Sequence, residues 1–297
     1  MQEIWFFLQL LIQGLAVGSV YALVALGFVL IYKASSVINF AQGELLMVGA
    51  YVCLVLLTTF QVPFWAAFFL TMAFSVILAL VIERLVLRPM IGEPAISIIM
   101  ITIGLSLVLK SIIAAVWGTQ IKVFPPIFPQ TPVKLGEIVV SQVYIFTFLA
   151  SMAFLILFAL FFKFSRMGIA MRATANSNQV ALSMGISVKK VFAISWCVAA
   201  VVSAVGGILI GNINGVNSTL GSVGLKVFPA VILGGLDSIP GAVLGGLIIG
   251  ILENLSGGYL DHFFGGGVKE VAPFVILVVI LMIKPYGLFG TEEIERV

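Results

Sequence analysis

Long apolar runs organise this chain, and they are interrupted at only a few points by polar, glycine-rich or proline-bearing backbone. The runs predict helical spans near 5 to 32, 43 to 60, 63 to 87, 95 to 117, 141 to 163, 190 to 211, 226 to 254 and 271 to 285. Most approach the roughly 20 residues that a helix needs to cross a bilayer. Two interruptions stand out, Asn39-Phe40-Ala41-Gln42-Gly43-Glu44 and Gly234-Gly235-Leu236-Asp237-Ser238-Ile239-Pro240-Gly241. Hydrocarbon tolerates non-helical backbone only where protein buries it or where it lines a wet cavity, because each unpaired N–H or C=O there costs several kcal/mol. Broken helices near residues 39–43 and 234–241, one in each half of the chain, therefore point to a pathway through a membrane. The seventh run is broken at Pro240 and reads as two half-helices or a hairpin. The predicted fold class is an all-α polytopic membrane protein with about 8 transmembrane segments.

Composition agrees with that solvent. Hydrophobic residues make up 62% of the chain and charged ones 9%, with a mean hydropathy of +1.25, against about 25% charged in soluble domains. No stretch is polar enough for a separate soluble domain, so residues 1–297 are expected to form a single integral membrane domain. The first apolar run, Trp5 to Tyr32, exceeds the 7 to 15 residues of a signal-peptide core and reads as a retained helix. Cys53 and Cys197 both fall inside apolar runs and act there as small hydrophobes.

Basic residues set the orientation. Lys163, Arg166, Arg172, Lys189 and Lys190 lie between the fifth and sixth spans with no Asp or Glu among them, so residues 164–190 are expected to be a cytoplasmic loop. Alternation then puts Lys33, Arg84 and Arg88 inside, and the N-terminus and the Pro-rich stretch Phe124 to Val133 outside. Glycines spaced four apart, Gly14 and Gly18, Gly207 and Gly211, Gly241 and Gly245, Gly246 and Gly250, predict close helix packing, within the chain or against a second membrane subunit.

The charges inside apolar spans are Glu44, Glu83, Lys110, Asp237 and Glu253. Glu83 reads as one partner of a solvated interfacial pair with Arg84 and Arg88, and Lys110 can snorkel along its own stem. Glu44 and Asp237 differ, because each sits beside a backbone interruption. A half-helix starting at Gly43 presents unpaired N–H groups to whatever precedes it. Asn39 and Gln42 supply neutral donors and acceptors, and they, with Asp237, fit helix capping as well as pathway lining. The chain has no phosphate-binding glycine loop and its one histidine, His262, reads as a solvated loop residue. A His-based metal cluster or catalytic triad is thereby excluded; the chain is expected not to be an enzyme and to hold no cofactor. The energy for moving a substrate is expected to come from another protein. The segment Met167 to Lys190, with Leu182, Met184 and Ile186 in a basic rim and Gly185 as a stop signal, reads as a short amphipathic helix suited to a groove on a soluble partner, or to an anionic lipid surface.

At these same segments the sequence resembles the permease subunits of branched-chain amino-acid ABC importers, the hydrophobic amino-acid uptake class. The matching stretches are Gly18 to Gly27, Val37 to Tyr51, Arg172 to Ile186 and Phe228 to Glu253, in order along nearly the whole chain. The resemblance implies a multi-pass protein of the bacterial inner membrane that carries leucine, isoleucine or valine. Its partners would be a second related permease, ATP-binding cassette subunits that use the ATP, and a periplasmic or extracellular substrate-binding protein; nucleic acid is not among them. Arg172, Ala173, Ala181, Met184, Gly185 and Ile186 would dock on the cassette. Asn39, Gln42, Gly43, Glu44, Gly234, Gly235, Asp237 and Pro240 would lie along the substrate pathway. A related branch carries urea or amides, and Phe40 leans toward the amino-acid branch. The rival from another class is a self-contained ion-coupled carrier.

Overall fold

α1 (Gln2–Ser35) is apolar around its whole circumference, and a helix of that kind has no face to give to water. The computed structural model describes residues 2–35, 37–90, 92–127, 131–135, 138–176, 178–284 and 287–290. In it α1 is the central post, with every residue from Ala16 to Ile31 buried. Around it pack α5 (Gln142–Phe164), α8 (Val188–Asn214), α9 (Val223–Gly234) and α10 (Ile239–Phe264). The α1–α10 contact is a backbone-to-backbone one. A Cβ built on Gly250 would overlap Gly18, and one on Gly246 would overlap Ala22, so these glycines serve packing inside the chain.

α2 (Gln42–Thr58) and α3 (Phe64–Ile82) lie against α8, and α3 continues through a π turn, Glu83–Leu87, into a 3-10 turn, Arg88–Met90. α4 (Ala95–Trp117) meets the body mainly through α2, and α11 (Val268–Ile283) closes on α9 and α10. These outer helices turn large apolar side chains outward, among them Phe69 and Ile77 on α3, Leu107 and Val116 on α4, and Val278 and Met282 on α11, as lipid-facing surfaces do. Among the described residues, six helices are long and apolar enough to cross a membrane: α1, α3 with its extension, α4, α5, α8 and α10. α2 and the α9 segment are shorter apolar helices.

Several sequence expectations are refined. The seventh span divides into α9, of 12 residues, and α10, of 26. The two pack as a hairpin in which a Cβ on Gly234 or Gly245 would overlap the backbone of Gly241 or Ala230. The break falls at Gly235 to Ser238, ahead of Pro240, which sits in the first turn of α10 where its missing N–H is harmless. A short antiparallel hairpin, β1 (Pro132–Leu135) with β2 (Ile138–Ser141), stands where the reading had a connection; Val133, Val139 and Val140 favour a pleated backbone. Glu83 is not a solvated pair member: it is fully buried, and among the described residues it is Arg88, not Arg84, that holds it, donating to both carboxylate oxygens at 3.0 and 2.8 Å. His262 is exposed but lies in the last turn of α10 rather than in a loop.

Candidate functional site

The first break turns back into the protein. A Cβ on Gly27 would overlap the Gln42 amide, so Gln42 lies level with Gly27, eight residues before the end of α1 and roughly 12 Å inside it along the axis. Asn39 and Gln42 are buried and spend their polar atoms on holding the turn. Asn39 Nδ2 donates to Gln42 Oε1 at 3.1 Å, and Asn39 Oδ1 accepts the Ala41 N–H at 3.0 Å. Gln42 Nε2 donates to Ser203 Oγ at 2.6 Å and to the Ala199 carbonyl at 3.2 Å, which fastens the break to α8. The Phe40 N–H donates to Thr102 Oγ1 at 3.3 Å, which fastens it to α4. Backbone freed from helix is thus paired with side chains inside the bundle.

Beyond the turn, Gly43 presses against the backbone of Gly221 and Gly224 at the start of α9, and the Phe40 and Phe228 rings pack at 6.0 Å. Glu44, in the first turn of α2, is 8% exposed. Its carboxylate lies over Gly221, and on α4, which packs against α2, Ser106 and Lys110 are the polar groups in its neighbourhood. Thr102, Ser106 and Lys110 fall at intervals of four along α4, one above the other on one flank of the helix. Sequence reasoning singled out Lys110 but missed Thr102 and Ser106; the four-residue spacing of polar residues in an apolar span was the available signal.

The second break stands apart, at the far end of α9. Gly234 and Gly235 are buried, Asp237 is half-buried and Pro240 is exposed. The chain near Leu288 lies across it, donating its N–H to the Leu233 carbonyl at 2.7 Å. It is therefore the start of α9, not the 234–241 segment, that meets the first break.

A third polar group sits between α9, α10 and α11. Lys226 reaches Glu253 at 3.3 Å and Glu270 at 2.7 Å, with Tyr21 of α1 beside Glu253 and Lys269 donating to Asn254 at 3.2 Å. Lys226 escaped the sequence reading because Lys226 and Glu253, 27 residues apart, share no local pattern.

At the basic end of the bundle the expected amphipathic segment forms two helices, α6 (Arg166–Asn176) and α7 (Asn178–Ser183). Arg172 donates to the Phe162 carbonyl and, at 3.3 Å, to that of Lys163, and its guanidinium lies over the Phe162 ring, so α6 is tied to the end of α5. Ala173 is half-buried, Ala181 is buried, and Ile186 is half-buried. α7 ends in a tight cap: the Gly185 N–H donates to Leu182 O at 3.0 Å, and the Ile186 N–H to Ala181 O at 2.9 Å. Gly185 supplies the positive φ of +79° that such a cap needs. The result is an apolar knob, with Val180, Leu182 and Met184 exposed. Among the described residues no group of three His, Cys, Asp or Glu side chains could hold a metal ion.

A family model described as "Branched-chain amino acid transport system / permease component" matches residues 10–284. The high-affinity branched-chain amino acid transport system permease protein LivH of Salmonella typhimurium is 34% identical over 314 residues, covering 100% of this chain and 99% of the relative. BraD of Pseudomonas aeruginosa, a permease protein of the same description, is 34% identical over 313 residues, with 100% of each covered. A probable branched-chain amino acid transport permease protein LivH of Methanocaldococcus jannaschii is 33% identical, covering 96% of this chain and 93% of the relative. Among solved structures, PsaBC from Streptococcus pneumoniae in complex with Fab shares the fold at a TM-score of 0.52 and 14% identity, over 95% of this chain and 92% of that one.

Proposed function

The chain belongs to the family of branched-chain amino acid transport system permease components, and from that premise we propose how this member works: it forms one wall of a passage whose other wall is a second permease subunit. It is the transmembrane permease component of a branched-chain amino acid ABC importer, a multi-pass inner-membrane protein that performs no catalysis. Family membership brings with it the usual partners, an ATPase, a binding protein and a paired permease. The relatives' names support the amino-acid branch over the urea branch and over a self-contained carrier.

The bend at Asn39, Gln42 and Gly43 shapes the passage and Glu44 faces it, while Gly234, Gly235, Asp237 and Pro240 form its edge toward the ATPase side. The carrying observation for coupling is the knob of α7. Met184 is 78% exposed at the basic end of the bundle, a position that suits an apolar groove on a cassette subunit. Arg172, Ala173, Ala181, Gly185 and Ile186 make the knob rigid, and Arg172 conveys its movement to α5. Residues 164–190 are thus the lever through which ATP binding on the partner rocks the helices.

Replacing Gly185 with valine tests this. Nothing lies within 4 Å of a Cβ there, yet the positive φ disfavours a side chain, by about 1 to 2 kcal/mol, and a relaxed cap displaces Met184. ATP-driven leucine uptake by the assembled importer should collapse while membrane insertion persists. Uptake at the wild-type rate would argue against the docking role.

A further inference from the structure

Lys110 is exposed, although it lies seven residues from the end of α4, roughly 10 Å along the axis. A cation facing hydrocarbon at that depth is strongly disfavoured. Snorkelling does not rescue it, because side chains on a helix lean toward its N-terminus, here away from the nearer end at Trp117 and toward Ser106. This flank of α4 is therefore covered by water or protein in the working importer.

Its surroundings are matched to a small zwitterion. The Phe40 N–H is bonded to Thr102 at the start of this flank, and Glu44, in the first turn of α2, has Ser106 and Lys110 as the polar groups of α4 in its neighbourhood; Glu44 and Lys110 do not close to ion-pair contact as Glu83 does with Arg88 at 2.8 Å. Two opposite charges held apart leave each with capacity for a ligand. Thr219 and Ser222 are exposed on the turn that carries Gly221, against which Glu44 rests. Leu225, 51% exposed, and the half-buried Phe40 and Phe228 offer apolar surface beside them.

We propose that Lys110 and Glu44 form a station for the transported amino acid, with Lys110 taking its α-carboxylate, Glu44 its α-ammonium and the Leu225–Phe228 side its aliphatic chain. The proposal rests on the importer reading above and adds the recognition chemistry. The zwitterion needs such a station because neither of its charges can cross apolar lining unpaired.

The test uses the complete importer in proteoliposomes with its binding protein, second permease and ATPase subunits, and reads leucine translocated per ATP hydrolysed. Lys110→Met should lower that ratio about tenfold without reducing ATP hydrolysis; Glu44→Gln should do the same, and Lys110→Arg should restore transport. Wild-type stoichiometry in Lys110→Met overturns the station. Loss of the second permease on purification of Lys110→Met also overturns it, because Lys110 would then pair with a carboxylate of that subunit. A wild-type complex that moves no leucine would overturn the importer reading itself, a distinct outcome.

Discussion

Glu253 and Glu44 are both carboxylates sunk in apolar helices, at 1% and 8% exposure, and the fold treats them in opposite ways. Glu253 is closed by an ion pair: Lys226 contacts its Oε1, leaving the buried Oε2 without a hydrogen-bond partner among the described residues, and is itself held by Glu270, so the charge ties α9 to α10 and α11. Glu44 is open: Lys110, in its neighbourhood on α4, stays beyond ion-pair contact. A buried charge in ion-pair contact is a structural commitment, since removing one partner leaves the other stranded. A buried charge whose partner is held off remains available to a ligand. The same residue types thus serve as fastening in one place and as a passage wall in another.

The largest effect that would test this contrast is at the closed cluster. Lys226→Met leaves Glu253 uncompensated and should lower stability by about 3 to 5 kcal/mol, read as a lower midpoint in thermal unfolding of the detergent-solubilised protein. Gln42→Leu should come next, at about 1 to 3 kcal/mol, because it leaves the Asn39 amide and the Ser203 hydroxyl without their partner. The same unfolding measurement applies, and an unchanged midpoint would show that the bend is held by packing alone. The smallest effect belongs to Lys110→Met, which should move stability by no more than about 0.5 kcal/mol even as transport falls. A loss as large as that of Lys226→Met would erase the distinction between open and closed charges.

Much of this was legible along the chain. The apolar runs located α1, α3, α4, α5 and α8 within a few residues, and Gly185 marked the end of α7 because only a positive φ completes that cap. The seventh run reads as two half-helices or a hairpin, and the hairpin forms; only the position of its turn shifts, to Gly235 to Ser238, because a proline looks the same in sequence whether it breaks a helix or opens one. The β1–β2 hairpin was hidden beside a proline-rich connection. At the site, Glu44 was visible as a charge beside a break. Which residues stand near it was not: Lys110, itself visible as a charge, comes with Ser106 from α4, and Gly221 from the turn before α9.

Sequence by itself determined the solvent, the helices, the break before Gln42 and the basic end of the bundle, because transfer free energy, helix periodicity and cap geometry act over a turn or a span. Only the tertiary structure decided which charges are closed and which stay open. Pairing depends on distances between side chains that stand 27 residues apart for Lys226 and Glu253, and on which helix the bundle lays across each break.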